Sequence, residues 1–207
     1  MPLKPASGSG VSSDSHLGAI LLAAGGSTRL GRPKQLLEFD GEPLVVRQVR
    51  LLVALRPACV VVVTGGEHKD VASLLGDLPV RCEHNPEWQR GMGTSLACGI
   101  RAMPERARAA LVLLVDQWKL APADLEILVE TWASDPQAAV LAAYDGTRGP
   151  PAILPRALFE RLSRLQGDSG ARNILKRWKG TVKALPLARA AVDVDTAADL
   201  PKHSGSA

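Results

Sequence analysis

The chain alternates short, wholly apolar runs with longer stretches in which apolar residues recur every three or four positions. Residues 19–24 and 58–63 are continuous apolar runs, which are typical of strands buried on both faces of a sheet. The stretches between such runs have helical spacing, and Pro43 opens one whose apolar residues share a side. This alternation predicts an α/β fold with right-handed crossovers and a mostly parallel sheet.

The same patterns place the individual elements. Strands are predicted at residues 19–24, 58–63, 80–83, 110–115, 138–144, 182–185 and 191–194. Helices are predicted at residues 43–53, 67–75, 94–103, 123–133 and 155–165, in a basic stretch ending near residue 179, and at residues 196–200. We expect residues 145–151, rich in Gly and Pro, to form a turn. Residues 1–16 and 203–207 are predicted to be tails, which leaves residues 17–202 as a single domain.

Composition narrows the class of protein. The 207 residues are 46% apolar, enough for one sizeable core, and the net charge of +4 comes from scattered basic residues. With only 3% aromatic residues, few platforms exist for stacking bases, so we expect no nucleic-acid partner. The three cysteines lack C-x-x-C spacing, and we find no secretory signal or long apolar run. We therefore expect free thiols, no membrane association and a cytoplasmic location.

The first predicted strand runs directly into a glycine-rich loop that carries two cations. Gly25 and Gly26 allow the backbone to turn sharply and to offer N–H groups to an anion, while Arg29 and Lys34 supply positive charge. A P-loop requires Lys directly after its last glycine, and the dinucleotide fingerprint requires G-x-G-x-x-G; neither occurs here. The loop predicts a different kind of polyphosphate site.

The loop has the signature L-A-A-G-x-S-x-R-x-G-x-x-K. This signature resembles that of the MobA-like NTP transferase family, whose members include the nucleotidyltransferases that make molybdenum cofactor dinucleotides. The resemblance implies a three-layer Rossmann-like nucleotidyltransferase fold with a mostly parallel central sheet and a mixed edge. The L-A-A-G form of the signature resembles the cytidylyltransferase branch of the family, which uses CTP. It implies nucleotide binding by Leu22, Ala23, Ala24, Gly25, Gly26, Ser27, Arg29, Lys34, Asn85, Gly93, Thr94 and Ser95.

Carboxylates follow two predicted strands. Asp116 comes just after strand 110–115, at the sheet edge where ligands bind in open α/β folds, and a hard cation such as Mg²⁺ suits a carboxylate there. Asp193 and Asp195 lie two residues apart at the end of the predicted strand 191–194, so their side chains are expected to point to the same face. The family's second metal position most resembles Asp193, with Asp195 expected to cap the following helix. The choice between these two carboxylates stays open.

Two further segments resemble the family, and two positions depart from it. N-P-E-W-Q-R-G-M-G-T-S-L, residues 85–96, resembles a segment of the base and ribose pocket, whereas G-D-S-G-A-R, residues 167–172, resembles one that lines the acceptor side. The family usually has D-Q-P where this chain has Asp116-Gln117-Trp118, and G-H-P at residues 149–151, where Pro150 replaces the histidine. We expect the acceptor side to involve Gln117, Trp118, Asp168 and Arg172.

The predicted reaction is nucleotidyl transfer. Lys34 would stabilise charge at the α-phosphate, Arg29 would hold the leaving pyrophosphate, and Asp116 with Asp193 would hold Mg²⁺. The resemblance implies CTP and a molybdopterin-type acceptor as ligands, and a molybdoenzyme or its chaperone as a partner. Two alternatives remain: transfer to a sugar phosphate or other small phosphorylated acceptor, and a nucleotide-binding module without catalysis.

Overall fold

Strands and helices alternate along the part of the chain that the computed structural model describes, residues 16–26 and 31–194. The strands are β1 (Leu17–Ala23), β2 (Glu38–Phe39), β3 (Glu42–Pro43), β4 (Cys59–Thr64), β5 (Arg81–His84), β6 (Ala109–Leu114), β7 (Ala139–Tyr144), β8 (Thr147–Pro155) and β9 (Val182–Pro186). The helices are α1 (Leu44–Ala54), α2 (His68–Leu74), α3 (Met92–Arg101), α4 (Pro122–Ala133), α5 (Phe159–Leu162) and α6 (Arg172–Lys176). Short 3₁₀ turns lie at Lys34–Leu36, Trp88–Arg90, Arg156–Leu158 and Ala188–Ala191.

Seven strands form one sheet in the order β5-β4-β1-β6-β8-β7-β9. β1 pairs in parallel with β4 and β6, and β4 in parallel with β5. β8 is antiparallel to both β6 and β7, whereas β7 and β9 are parallel. The sheet therefore contains a single reversed strand, and the carboxyl ends of its other six strands meet at one edge.

Both faces of the sheet are covered by helices, as a fully apolar β1 requires. Along β1, Leu17, Ala19 and Leu21 contribute to the core that also contains residues of α1, α2 and α4, while Ile20 and Leu22 contribute to the core on the side of α3, α5 and α6. The predicted α/β fold with a mostly parallel sheet and a mixed part is thus confirmed. No helix in the described ranges is both long and apolar enough to cross a membrane.

Three predicted elements are wrong. The predicted turn at residues 145–151 is mostly strand β8, and the hairpin turns at Asp145 and Gly146, both with positive φ. The predicted strand 191–194 is absent; the 3₁₀ turn Ala188–Ala191 is followed there by residues outside any strand. The predicted helix 155–165 is reduced to a 3₁₀ turn and α5, which ends at Leu162.

The remaining predictions agree with the structure within a few residues. Asp40 and Gly41 form the tight turn between β2 and β3, both with positive φ. The three cysteines are free thiols, each partly buried. The predicted tail 203–207, the predicted tail 1–16 apart from its last residue, and the predicted helix 196–200 lie outside the described residues.

Candidate active site

A cavity of about 450 Å³ opens at the carboxyl edge of the sheet, and most of its lining residues belong to or follow the parallel strands β1, β5 and β6. The carboxyl edge is the usual ligand crevice of such sheets. Its walls are formed by Leu22, Ala24, Gly25, Gly26, Lys34, Gln35, Trp88, Gln89, Gly91, Met92, Ser95, Leu114, Val115, Asp116 and Asp168.

Lys34 and Asp116 form an ion pair in this cavity. The distance from Lys34 Nζ to Asp116 Oδ2 is 3.2 Å, and the side chains are 14% and 21% exposed. Lys34 begins the 3₁₀ turn that follows the glycine loop, and Asp116 lies two residues after β6. The adjacent strands β1 and β6 thereby bring together two side chains that are 82 residues apart in sequence.

The carboxyl group of Asp116 is held in an unfavourable environment for its charge. Burial raises the pKa of Asp116, Lys34 opposes this increase, and the nearby carboxylate of Asp193 adds to it. Asp116 Oδ1 is buried and has no hydrogen-bond partner among the described residues. An ionised carboxylate with one buried oxygen unsatisfied is suited to binding a further cation.

A divalent cation fits this arrangement. Asp193 lies outside any strand, and its charge contributes to the raised pKa of Asp116. The described residues include no cluster of three or more Asp, Glu, His or Cys side chains able to hold a metal. Two carboxylates with substrate phosphates as the remaining ligands suit Mg²⁺ or Mn²⁺ better than a closed protein site.

The segment from Asn85 to Ser95 forms one wall through a network of hydrogen bonds. Asn85 Nδ2 donates to Thr94 Oγ1 at 2.9 Å and to Ser95 Oγ at 3.0 Å, and Thr94 Oγ1 donates to the Gly91 carbonyl at 2.9 Å. Asn85 and Thr94 are buried and do not line the cavity, whereas Ser95 does. The first two residues therefore shape the wall, and Ser95 can contact a ligand.

Trp88 is a cavity residue that the sequence analysis did not single out as a site residue. A side chain at Gly65 would overlap the Trp88 ring, with Cβ 2.8 Å from Cγ, and one at Gly66 would touch it at 3.4 Å. The indole therefore packs closely on the backbone after β4, and Trp88 also lines the cavity. Its position in the N-P-E-W segment was the signal that could have identified it.

The expected acceptor side is built differently from the prediction at Gln117. This residue is 2% exposed, and its Nε2 donates to the Pro150 carbonyl at 2.7 Å and to the Ala190 carbonyl at 3.0 Å. Its side chain thus connects the end of β6 to β8 and to the 3₁₀ turn Ala188–Ala191. This geometry favours a structural role for Gln117 over the expected acceptor contact.

Trp118 also differs from expectation. Its ring packs against Phe39 with a centroid distance of 5.0 Å, and it does not line the cavity. The ring thus packs against the main core, although its Nε1 is buried without a hydrogen-bond partner among the described residues.

Tyr144, at the end of β7, is a residue that the sequence analysis did not single out. Its hydroxyl donates to the Pro150 carbonyl at 3.0 Å, and burial, Asp193 and Asp116 raise its pKa in that order of size. Arg172 also acts on this hydroxyl electrostatically and donates to Thr147 Oγ1 at 3.4 Å. The charges of Asp193, Asp116 and Arg172 thus all act on the Tyr144 hydroxyl at the end of β7.

Some predicted site residues cannot be placed. Ser27 and Arg29 of the signature loop, and Asp195, lie outside the described residues. Of the loop's other predicted residues, Leu22, Ala24, Gly25, Gly26 and Lys34 line the cavity. Gln35 Nε2 donates to the Gly25 carbonyl at 3.4 Å, which adds a contact between the loop and the following 3₁₀ turn.

The family model for the MobA-like NTP transferase domain matches residues 19–182. The chain belongs to this family. The match covers every strand of the seven-stranded sheet at least in part, as well as the cavity residues from Leu22 to Asp168. Asp193 lies beyond the matched residues.

Curated relatives of this family member carry names for several activities. The chain is 35% identical to the bifunctional IPC transferase and DIPP synthase of Rubrobacter xylanophilus over 89% of its own length and 50% of that protein. It is 32% identical to the nicotine blue oxidoreductase of Paenarthrobacter nicotinovorans, covering 76% of this chain and 80% of the relative. It is also 32% identical to the 2-C-methyl-D-erythritol 4-phosphate cytidylyltransferase of Xanthomonas oryzae pv. oryzae, over 60% of this chain and 48% of that enzyme. The chain thus spans about half the length of two of these relatives.

Solved structures confirm the fold. Rv0371c from Mycobacterium tuberculosis superimposes with a TM-score of 0.77 at 25% identity, covering 90% of this chain and 96% of the other. A complex of Rv0371c with manganese has a TM-score of 0.72 at 22% identity, over 88% of this chain and 95% of the other.

Proposed function

We propose that this chain is a divalent-metal-dependent nucleotidyltransferase that transfers CMP from CTP to a phosphorylated acceptor of the molybdopterin type and releases pyrophosphate. The observation that carries the proposal is the Lys34–Asp116 pair, in which a buried carboxylate oxygen has no partner among the described residues. A nucleotide-binding module would not require a carboxylate held in this way, because leaving a buried charge partly unsatisfied costs stability.

The roles of the residues follow from their positions. Lys34 places a positive charge beside the carboxylate, where it would bind the α-phosphate and stabilise the negative charge that develops during in-line attack. Asp116 and Asp193 would hold Mg²⁺, which neutralises phosphate charge and aligns the leaving pyrophosphate. Ser95, Trp88 and the backbone near Gly25 would bind the nucleoside. Arg29, as the signature implies, would hold the pyrophosphate.

Two lines of support bear on the nucleotide and the metal. The L-A-A-G form of the signature resembles the cytidylyltransferase branch, and a curated relative is named a cytidylyltransferase. A related structure was solved in complex with manganese, so a divalent cation is compatible with this fold. A cytoplasmic location and an association with a molybdoenzyme or its chaperone are part of the same proposal.

A second candidate is transfer to another small phosphorylated acceptor, such as a sugar phosphate. Pro150 stands where the family usually has histidine, and its carbonyl is engaged by Gln117 and Tyr144. The acceptor side is therefore the part of the site that differs most from the family pattern, and a changed acceptor is the expected consequence.

The test is pyrophosphate release with each of the four ribonucleoside triphosphates and Mg²⁺, with and without molybdopterin cofactor. We expect release with CTP only when the cofactor is present, and loss of release in Asp116→Ala. Asp135→Ala is the matched control, because Asp135 forms its ion pair with Lys183 away from the cavity. Release with CTP and a sugar phosphate instead would favour the second candidate. Saturable CTP binding without any metal-dependent release would contradict catalysis.

A further inference from the structure

Asp168 is a charged cavity residue for which the proposed chemistry has no role. It lies in the loop between α5 and α6 and lines the cavity together with Gly91, Met92 and Ser95. It is exposed and forms no hydrogen bond or ion pair with any described residue. Its carboxylate is therefore available to a ligand in the cavity.

The position of Asp168 is fixed by close contact between two loops. The Gly93 N–H donates to the Gly167 carbonyl at 2.7 Å. A Cβ at Gly91 would lie 2.2 Å from Asp168 Oδ1 and 2.5 Å from the Gly167 carbonyl carbon, and Gly91 also has φ +114°. Only glycine fits at position 91, because its missing side chain leaves the space that the carboxylate occupies. The loop carrying Asp168 is thus docked on the wall formed by residues 91–95.

The two ends of the cavity differ in charge. Lys34 marks the end at which phosphates bind, whereas Asp168 places a negative charge on the wall that includes Ser95. A carboxylate would repel a phosphate, but it accepts hydrogen bonds from hydroxyl groups through both oxygens. Within a nucleotide, the neutral part richest in hydroxyl donors is the ribose, which carries two on adjacent carbons.

The segment that carries Asp168 serves both halves of the site. Arg172, four residues later, donates to Thr147 beside Tyr144 and so faces the half of the site over β7 and β8. Asp168 instead lies against Gly91, which follows β5, and lines the cavity together with residues that follow β1 and β6. This division separates Asp168 from the acceptor side on which the sequence resemblance placed it.

We propose that Asp168 binds the ribose hydroxyls of the nucleotide and makes the site selective for ribonucleotides over deoxyribonucleotides. This inference rests on the proposed nucleotide site, and it assigns a specificity residue within that site. Hydrogen bonds to a charged group are the stronger kind, so the loss of one hydroxyl should weaken binding by about tenfold or more.

The test measures binding without an acceptor, so that it does not depend on turnover. Dissociation constants for CTP, 2′-deoxy-CTP and 3′-deoxy-CTP are measured by calorimetry with Mg²⁺ for wild type, Asp168→Ala and Asp168→Asn. We expect wild type to bind CTP about tenfold or more tightly than at least one deoxy analogue, and Asp168→Ala to bind all three about equally. Ser169→Ala is the matched control, since Ser169 is an exposed loop neighbour outside the cavity wall.

Each other outcome overturns the inference. A wild-type protein that does not distinguish CTP from both deoxy analogues overturns it directly, even if a variant fails to fold. An unchanged preference for CTP in Asp168→Ala also overturns it and leaves the proposed nucleotide site intact. Absence of nucleotide binding in wild type would overturn both proposals together.

Discussion

Replacing Lys34 by Met removes a charge from the centre of the cavity while largely keeping the side-chain volume. The Lys34 ammonium lies 3.2 Å from Asp116 Oδ2, and low exposure of both side chains means that water screens the pair incompletely. Two unit charges about 4 Å apart attract by about 4 kcal/mol at an effective dielectric constant of 20, and desolvation offsets part of this. We take about 3 kcal/mol as the transition-state stabilisation lost, similar to the loss of one preorganised donor. The expected result is a decrease in turnover of roughly 100-fold.

The same substitution should change the pH dependence of metal binding. Lys34 lowers the pKa of Asp116 against the effect of burial, so its removal should raise that pKa further. A larger fraction of Asp116 is then protonated at a given pH, and a protonated carboxyl group cannot bind Mg²⁺. We expect the acid side of the pH–activity profile to move to higher pH in Lys34→Met and to remain near its original position in Lys34→Arg.

The assay is release of pyrophosphate from CTP with Mg²⁺ and molybdopterin cofactor, followed across pH for both variants. Lys183→Met is the matched control, because Lys183 forms a comparable ion pair with Asp135 at 3.7 Å far from the cavity. Turnover in Lys34→Met equal to that of wild type would refute the assignment of Lys34 to the reacting phosphate. A lower turnover with an unshifted acid limb would refute the electrostatic coupling alone.

Three further predictions concern the residues around this pair. Because the pKa of Asp116 is raised, the folded chain keeps the Asp116 proton to higher pH than the unfolded chain, and the stability of the fold falls as the pH rises between the two pKa values. Metal-free Asp116→Asn should therefore melt at a higher temperature than wild type at neutral pH and lose this advantage in acid. The same variant should show no pyrophosphate release. Gln117→Ala should lower the free energy of unfolding by about 2 kcal/mol or more in denaturant titration, because the buried Ala190 carbonyl loses its donor and the Pro150 carbonyl keeps only that of Tyr144. Tyr144→Phe, which removes a donor to Pro150, should raise the KM for the acceptor and leave the dissociation constant of CTP unchanged. A lower melting temperature for Asp116→Asn, an unchanged midpoint for Gln117→Ala, or weaker CTP binding by Tyr144→Phe would contradict the respective argument.

Strands β1 and β6, which precede Lys34 and Asp116, were predictable because nearly all of their residues are buried. β1 and β6 are covered on both faces, which requires an uninterrupted apolar run, and such runs are visible without knowledge of the fold. Once both strands are predicted to be parallel, Lys34 and Asp116 are expected at the same edge of the sheet, because each comes after the carboxyl end of its strand. The ion pair between them is a direct consequence of this topology, although their distance of 3.2 Å could not be read from the sequence.

The reversed strand β8 was missed because prolines usually end a strand. Pro150 and Pro151 lie where the pairing with β7 shifts: Leu141 pairs with Ala152, and Ala142 with Gly149. Pro150 and Pro151 thus form a bulge without paired residues on β7, so their missing N–H groups remove no hydrogen bond between these two strands. A local pattern cannot reveal this, since it depends on the register of a partner strand.

The predicted local structure around Asp193 was wrong. Asp193 was placed on a strand, but the chain there follows a 3₁₀ turn whose Ala190 carbonyl accepts from Gln117. The long-range hydrogen bond fixes this stretch, and no periodicity records it. Tyr144 could have been found, because it ends a predicted strand parallel to β6 and thus reaches the same edge as Asp116.

The departures from the family pattern meet at one backbone carbonyl. The Pro150 carbonyl oxygen accepts hydrogen bonds from the side chains of both Gln117 and Tyr144. At the position where the family usually has a histidine, the backbone of this chain is therefore engaged in contacts within the protein. Gly149 permits this arrangement, because a Cβ there would approach the Tyr144 hydroxyl to 3.0 Å. If the proposed acceptor binds here, we expect it to meet Arg172 and Asp193, whose charges act on the Tyr144 hydroxyl. We therefore expect relatives that use different acceptors to differ in the hairpin of β7 and β8. We expect nucleotide binding to depend instead on the Lys34–Asp116 pair.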